Sequence, residues 1–325
     1  MGIKNLKKFI DKYAPTSLSN KKYIDYKNKT IAIDTSLVIY KYITAIRKSG
    51  NDLLSADGHI TSHLHGIISL INKLLSNKIT PIFVFDGKPP SFKKDTLQKR
   101  QDMKKFAEEQ LKLDTLTAEE RILYLMQSTR ISPEIIQDTK EMLQILGVPY
   151  VEAPEEADAQ CVCLIQNNLA YAVATEDMDL LTFGSARLLK NFFSKEDEIV
   201  EINLENMLKQ LNINQKKFID LSILLGCDYL PTLPGIGYVR SYNYITQYKS
   251  LEGIFKKVKQ PENYDYETIR NYFETAVQKC KVPKEEDLQI KNTDTTSIYK
   301  LLVNKYNFNL GKYNSFIIAR NKYFD

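Results

Sequence analysis

Residues 81–90 read PIFVFDGKPP, an apolar run stopped by Asp86 and followed by a turn rich in Gly and Pro. A short continuous run of this kind marks a strand buried on both faces, as in a parallel sheet. Working outward, IAIDTS at 31–36 repeats the pattern with Asp34, and ATEDMDLL at 174–181 follows the run Tyr171–Ala174 with Asp177 and Asp179. Two more acidic settings, APEEADAQ at 153–160 and LLGCDYLP at 224–231, supply Glu155, Glu156, Asp158 and Asp228. In open α/β sheets, ligands gather beyond the carboxyl ends of the strands. Asp34, Asp86, Asp177 and Asp179 are therefore expected to converge on one crevice.

A lone Asp at a strand end is ordinarily a cap or a turn former. Five segments that all place carboxylates at comparable positions are not explained by turn chemistry alone. Two like charges ~4 Å apart repel by roughly 4 kcal/mol at an effective dielectric near 20. Such a cluster needs protons or hard cations, and at neutral pH Mg2+ answers that need. Asp177 and Asp179, two apart, point to one side of an extended backbone. On a full α-helix Glu155 and Asp158 share a face, whereas Glu156 and Asp158 do not. Spacing alone favours Glu155; Glu156 joins only from an unwound first turn.

Ile31–Asp34 and Ile82–Asp86 read as central strands with a helix near Thr61–Leu75 between them. From Lys93 to Lys140 the pattern turns charged and helical, an excursion from the sheet. Pro133 is expected to open a helix that Gly147 ends. A strand at Pro149–Glu152, a helix from Glu155 to Asn167 and a strand at Tyr171–Ala174 restore the alternation. Helices at Phe218–Leu225 and Tyr238–Tyr248 flank LPTLPGIG (230–237). Its glycines, Gly235 and Gly237, would let backbone N–H groups approach a phosphate; a plain helical hairpin is the competing reading. Lys93 and Arg100, seven apart, share a helical face and could reach a metal-held phosphate, or form a solvated basic face. His59, His63 and His65 are read as packing rather than ligating.

The chain has 325 residues, 43% of them hydrophobic, enough for one large core or two moderate ones. Its 45 basic against 40 acidic side chains give +5, mild support for a polyanionic partner. Four cysteines without a CxxC pattern argue against structural zinc and a disulfide framework, hence for a reducing compartment. No apolar run reaches the ~18 residues that span a bilayer, and no signal peptide is read, so no membrane role is expected. There is no GxSxG, Walker A or GxGxxG motif.

Taken together, VFDGKPP, APEEADA, ATEDMDLLTFG and LLGCDY followed by PGIG resemble the flap endonuclease branch of the XPG-type structure-specific 5′ nucleases, from Met1-Gly2-Ile3 over nearly the whole chain. The resemblance implies a PIN-like, resolvase-like α/β fold: a mostly parallel central sheet flanked by helices, a helical arch and a helix–turn–helix DNA-binding hairpin. It implies one compact nuclease domain, with an N-terminal region (1–105), arch (106–140), internal region with the hairpin (141–258) and C-terminal extension (259–325). Two divalent metals would be held by Asp34, Asp86, Glu156, Asp158, Asp177, Asp179 and Asp228, the resemblance choosing Glu156 over Glu155. Mg2+ is expected, Mn2+ would substitute, and K+ is a candidate at the hairpin turn.

The resemblance further implies that Lys93 and Arg100 bring charge to the scissile phosphate and that Tyr40 stacks on a base near the cut. Arg47, Leu53 and Thr61 would form a pocket for a one-nucleotide 3′ flap, and Gly226 a backbone contact beside Asp228. The expected substrate is branched DNA with 5′ flaps, nicks or gaps, cut near the single-strand/duplex junction by a monomer at an intracellular site of replication and repair. Several positions depart from the pattern. Asp158 replaces a glutamate, the 3′-flap pocket reads Ala56, Asp57, Gly58, His59, Leu70 replaces an arginine and Val239 a lysine. The second arch helix, around AEERILYLMQSTR, is less basic than usual, and no QxxLxxFF sliding-clamp motif is read. Rival readings are a 5′ exonuclease or junction resolvase of the same superfamily, and a junction-binding module without catalysis; the latter is disfavoured by the presence of all seven acids.

Overall fold

The computed structural model describes residues 2–47, 61–194 and 196–325. The chain divides into two compact units, one of residues 1–22, 86–93 and 153–282, the other of 23–85, 94–152 and 283–325. Their strands are β1 (Leu18–Lys21), β2 (Thr30–Asp34), β3 (Thr80–Phe85), β4 (Tyr150–Glu152), β5 (Ala172–Ala174), β6 (Arg187–Lys190) and β7 (Ile199–Asn203). Three of the five described strand pairings are parallel, so the α/β class and the mainly parallel character expected from the apolar runs both hold.

In the second unit β2, β3 and β4 lie side by side, all parallel, with Asp34 opposite Val84 and Phe85 opposite Glu152. Ile31, Ile33, Ile82, Phe83 and Val84 are fully buried, each contributing ~1.5–3 kcal/mol by leaving water. Against this unit's core the helix Ser62–Ser76 buries Leu64, Ile67, Ile68, Ile71, Leu74 and Leu75, a helical-period stripe. The helix Leu310–Phe324 packs on it, and the Tyr323 hydroxyl meets that of Thr80 at 2.6 Å. The expected excursion is three helices, Lys94–Gln110, Ala118–Gln127 and Pro133–Leu146. The last begins at Pro133 after a Ser132 cap and ends at left-handed Gly147, as Pro-start and Gly-stop preferences require.

The first unit orders its strands β1-β7-β6-β5, with β5 and β6 parallel and the other two pairings antiparallel. The antiparallel strands were not read from the sequence, because their alternation is broken by charged residues. Helices Ala157–Gln166, Gln215–Leu225, Tyr238–Tyr248, Leu251–Phe255 and Tyr266–Thr275 belong to this unit. Asp220, 1% exposed, accepts from the Leu251 backbone N–H at 3.1 Å and from Arg270 Nε at 2.6 Å. That buried pair ties three helices around the hairpin that carries LPTLPGIG.

Candidate active site

Most of the acidic positions singled out in the sequence fall in the first unit, and the turn after β3 explains how. The Gly87 N–H donates to the Glu155 carbonyl at 2.6 Å, and the Ala157 N–H donates to Asp86 Oδ1 at 2.9 Å. A Cβ on Gly87 would sit 2.2 Å from the Ala153 carbonyl oxygen, so only glycine permits this seam. Asp86 thus holds the start of the helix Ala157–Gln166, an anion at a helix N-terminus.

Glu156 is the N-cap residue of that helix, with extended backbone at φ −86°, ψ 142°. It therefore lies outside the helical register, which removes the spacing objection to pairing it with Asp158. Its carboxylate is 6% exposed and fully engaged. Lys93 Nζ bonds Oε1, while the Tyr229 hydroxyl and the Tyr272 hydroxyl, the latter at 2.9 Å, donate to Oε2. Lys93 Nζ also lies 3.6 Å from Asp228 Oδ2. Burial opposes the Lys93 charge, but Glu156, with Asp158 and Asp228 behind it, holds the ammonium above its ordinary value. Burial and the Glu156 charge push both phenols up, so they stay neutral donors. Phe92, Phe183 and Phe273 ring the two tyrosines.

Asp179 is different. It opens the short helix Asp179–Thr182, and its N–H donates to Asp177 Oδ1 at 3.0 Å. The two acids are therefore brought together by a turn, correcting the expectation of an extended strand. Burial pushes the Asp179 carboxyl well above the usual range, Asp177 and Asp228 add to this, and a 2.6 Å bond from the Ile3 N–H opposes it. Gly2, at φ +83°, leaves room for both carboxylates, since a Cβ there would lie 2.3 Å from Asp177 Oδ1 and 2.7 Å from Asp179 Oδ1.

Of the remaining expected residues, Asp34 ends β2 in the second unit, where its Oδ1 accepts from the Leu37 N–H at 3.3 Å. Arg100 lies on the helix Lys94–Gln110, but Lys93 precedes that helix in the turn Ser91–Lys93. Helical register therefore does not itself put the two on one face, as the spacing had suggested. Tyr40 donates its hydroxyl to the Met126 carbonyl at 2.8 Å. Thr61 is buried at the N-cap of Ser62–Ser76. Arg47 closes the helix Thr35–Arg47, and Leu53 lies outside the described residues, as do Ala56 to His59. The Gly226 carbonyl accepts from the Lys4 N–H at 2.9 Å. Gly237 caps the helix Tyr238–Tyr248 with open space beside it, and the Gly235 carbonyl takes the Arg240 guanidinium at 2.8 Å. His63 is fully buried and His65 stacks on Phe308 at 3.8 Å, both in packing positions.

An all-carboxylate donor set suits a hard cation, and the upward pressure on Asp179 is the penalty that a cation would remove. As placed, among the described residues, no three His, Cys, Asp or Glu side chains gather tightly enough to enclose an ion. The acids form two overlapping sets that share Asp228, one around Lys93 and one around Asp179. Sequence reasoning missed Gly2, Ile3, Tyr229 and Tyr272; the two tyrosines had no signal, since nothing in their local sequence pairs them with Glu156.

The XPG N-terminal domain model matches residues 1–107 and the XPG I-region model residues 147–228. Flap endonuclease 1 of Glycine max is 35% identical, covering 99% of this chain and 88% of its own. The chain belongs to the XPG family, on its flap endonuclease 1 branch. Among solved structures, flap endonuclease-1 from Methanococcus jannaschii superposes with a TM-score of 0.73 at 30% identity, covering 94% of this chain and 96% of that one. The catalytic core of Rad2 in complex with DNA substrate does so with a TM-score of 0.72 at 25% identity, covering 98% and 99%. This branch of the family consists of metal-dependent nucleases, and the match spans both units of the chain.

Proposed function

We propose that this protein is a structure-specific 5′ flap endonuclease with 5′–3′ exonuclease activity, acting in DNA replication and repair through Mg2+-dependent phosphodiester hydrolysis. The observation that carries the mechanism is the pair of overlapping acid sets that share Asp228, one holding Lys93 and the other centred on buried Asp179 beside Asp177. Asp86, Glu156, Asp158, Asp177, Asp179 and Asp228, with Asp34, would hold two Mg2+ ions, for which Mn2+ would substitute. Bound there, the ions supply Lewis acidity and lower the pKa of water near the phosphate. The chain's own residues do the rest. Tyr229 and Tyr272 fix the orientation of Glu156. Lys93 moves its ammonium from carboxylate to scissile phosphate, and Arg100 adds a second positive charge there. Asp179, held by Ile3, keeps its acceptor geometry as DNA arrives. No protein nucleophile is required.

Branched DNA with 5′ flaps, nicks or gaps is the proposed substrate, bound by a monomer. Gly235, Gly237 and the open N-terminus of Tyr238–Tyr248 would take duplex phosphates through backbone N–H groups, a contact that positions DNA without reading sequence. A K+ at that turn would share the Gly235 carbonyl with Arg240. Tyr40, Arg47, Leu53, Thr61 and Gly226 are proposed DNA contacts. The test is cleavage of end-labelled flap, nicked and four-way DNA with Mg2+, Ca2+ or EDTA. Flap cleavage near the junction, supported by Mg2+ and absent with EDTA, is the expected outcome; preference for four-way DNA, or cleavage in EDTA, overturns it.

A further inference from the structure

The helix Leu6–Tyr13 reads LKKFIDKY, three lysines against one aspartate. Lys7 is neutralised within the helix, since it pairs with Asp11 one turn on. Lys8 and Lys12, also one turn apart and so on one face, are exposed, and among the described residues neither pairs with a carboxylate. An aromatic seam docks this helix on the helix Tyr238–Tyr248 of the same unit. Phe9 meets Tyr242 edge to face at 5.5 Å, Tyr13 meets it at 4.8 Å, and the Tyr242 hydroxyl donates to the Leu211 carbonyl at 2.9 Å. The seam carries Lys12 to the start of the second helix. Its ammonium lies 5.1 Å from the centre of the Tyr13 ring and 5.9 Å from that of Tyr238, within the range of a cation–π contact.

Tyr238 follows Gly237 directly, so Lys12 stands beside the turn that takes duplex phosphates in the reading above. The first turn of that helix is short of cations. Val239 is apolar and 37% exposed, and Arg240 turns its Nη1 back onto the Gly235 carbonyl at 2.8 Å. Lys12 brings a further charge to this place from an element remote in sequence. Lys8 stands ~6 Å from it along the helix axis, four residues at ~1.5 Å each. One strand of duplex DNA advances ~3.4 Å per nucleotide, so the spacing suits phosphates about two steps apart. We propose that Lys8 and Lys12 bind backbone phosphates of the duplex arm of the DNA substrate, making the helix Leu6–Tyr13 and the hairpin one duplex-binding surface. The proposal rests on the flap endonuclease reading above and adds a second element to its duplex contact. Like the hairpin, this element positions DNA without reading its sequence.

The experiment measures binding of a nicked duplex in fixed Ca2+ over a series of KCl concentrations. It uses the wild type, Lys12→Ala, the Lys8→Ala/Lys12→Ala double variant, Lys12→Arg and Lys279→Ala. Lys279 is an exposed lysine of the same unit, on the turn Ala276–Lys279, and controls for the loss of a positive charge as such. Each phosphate contact contributes about 0.9 to the slope of log K against log salt. Lys12→Ala is therefore expected to lower the magnitude of that slope by about one and the double variant by about two, with binding at moderate salt weakened about three-fold and about ten-fold. Lys12→Arg keeps the wild-type slope, and so does Lys279→Ala. Single-turnover rates at saturating flap DNA stay within about two-fold for every variant, because a contact made equally before and during reaction changes binding alone. A slope change in Lys12→Ala no larger than that in Lys279→Ala overturns the proposal. So does Lys12→Arg behaving like Lys12→Ala, which would assign Lys12 to packing on the two tyrosines. If the slope depends on Lys12 as expected and the wild type cuts no flap in Mg2+, the endonuclease reading fails and the duplex contact stands; flap cleavage with an unaltered slope does the reverse.

Discussion

Glu156 and Asp179 are both buried carboxylates of the same unit, 6% and 3% exposed, yet the chain treats them in opposite ways. Glu156 receives an ammonium and two phenols; Asp179 receives one backbone N–H and faces two like charges. Taking an ion out of water costs several kcal/mol unless partners restore what water gave. One half of the acidic site is thus satisfied by the protein itself, and the other is the half that the proposed cations would complete. Satisfied carboxylates are rigid before substrate binds. Unsatisfied ones store a repulsion that a divalent ion relieves.

The sharpest way to break this contrast is to neutralise each half in turn. Asp179→Asn keeps the acceptor for Ile3 but removes an anion from a crowded set. Cleavage is expected to fall by at least ~10³-fold, while metal-free thermal stability holds or rises, since repulsion at short range is worth a few kcal/mol. Glu156→Gln should also abolish cleavage, but its stability should fall by ~1–3 kcal/mol, because Lys93 and two phenols lose a charged acceptor. Parallel stability changes in the two variants would remove the distinction between the halves; near-normal turnover in Asp179→Asn would remove the metal assignment.

Lys93 comes next, as the cation that belongs to the satisfied half. If it moves to the phosphate in the transition state, Lys93→Ala lowers the single-turnover rate at saturating DNA by ~10²–10³-fold. Arg100→Ala should act similarly. A loss that excess DNA fully rescues would mean uniform binding only. Lys104→Ala and Lys105→Ala serve as the contrast, expected to weaken binding and lower its salt dependence with little effect on the saturated rate.

These expectations also show where sequence was sufficient. The apolar runs that end in Asp34 and Asp86 announced parallel strands, and Pro133 and Gly147 marked both ends of their helix to the residue. Short range was enough there, because period, cap and breaker are local signals. Asp177 and Asp179 were paired correctly but by the wrong geometry, a turn instead of a strand. Glu156 was out of reach by spacing, since its place depends on where the helix begins, and that is fixed by Asp86 from 71 residues away. β1, β6 and β7 were missed for the same reason: short strands interrupted by charge become strands only through their neighbours.

A smaller effect probes how Glu156 is held. Tyr272→Phe removes one hydroxyl and keeps the ring among Phe92, Phe183 and Tyr229. A hydrogen bond to a charged group is worth ~1.5–3 kcal/mol at most in stability, with Tyr229 still donating. The expected result is a several-fold rise in the Mg2+ concentration needed for half-maximal cleavage, and weaker Mn2+ binding by calorimetry, with the rate at saturating metal nearly unchanged. An unchanged metal requirement would mean that Lys93 and Tyr229 hold Glu156 without help.

The smallest expected effect comes from a third acid set in the same unit, where arginine does the neutralising. Arg270 pulls Glu252 down to about 2 from its ordinary 4.5, and it also pairs with buried Asp220. A depressed carboxyl contributes stability that is present above pH ~4.5 and is lost as the pH falls towards 2. Taken at face value the shift corresponds to ~3 kcal/mol; the Glu252 side chain is 46% exposed, so solvent screening reduces that to ~1 kcal/mol or less. Asp220 works the other way, since burial raises its carboxyl despite Arg270, so whole-protein acid unfolding mixes the two. Glu252→Gln separates them. Urea unfolding of the variant at neutral pH is expected to show a loss of up to ~1 kcal/mol, shrinking steadily below pH 4.5. A difference that stays constant down to pH 3 would mean that Glu252 acts through packing, and that only the buried members of these acid sets store electrostatic free energy.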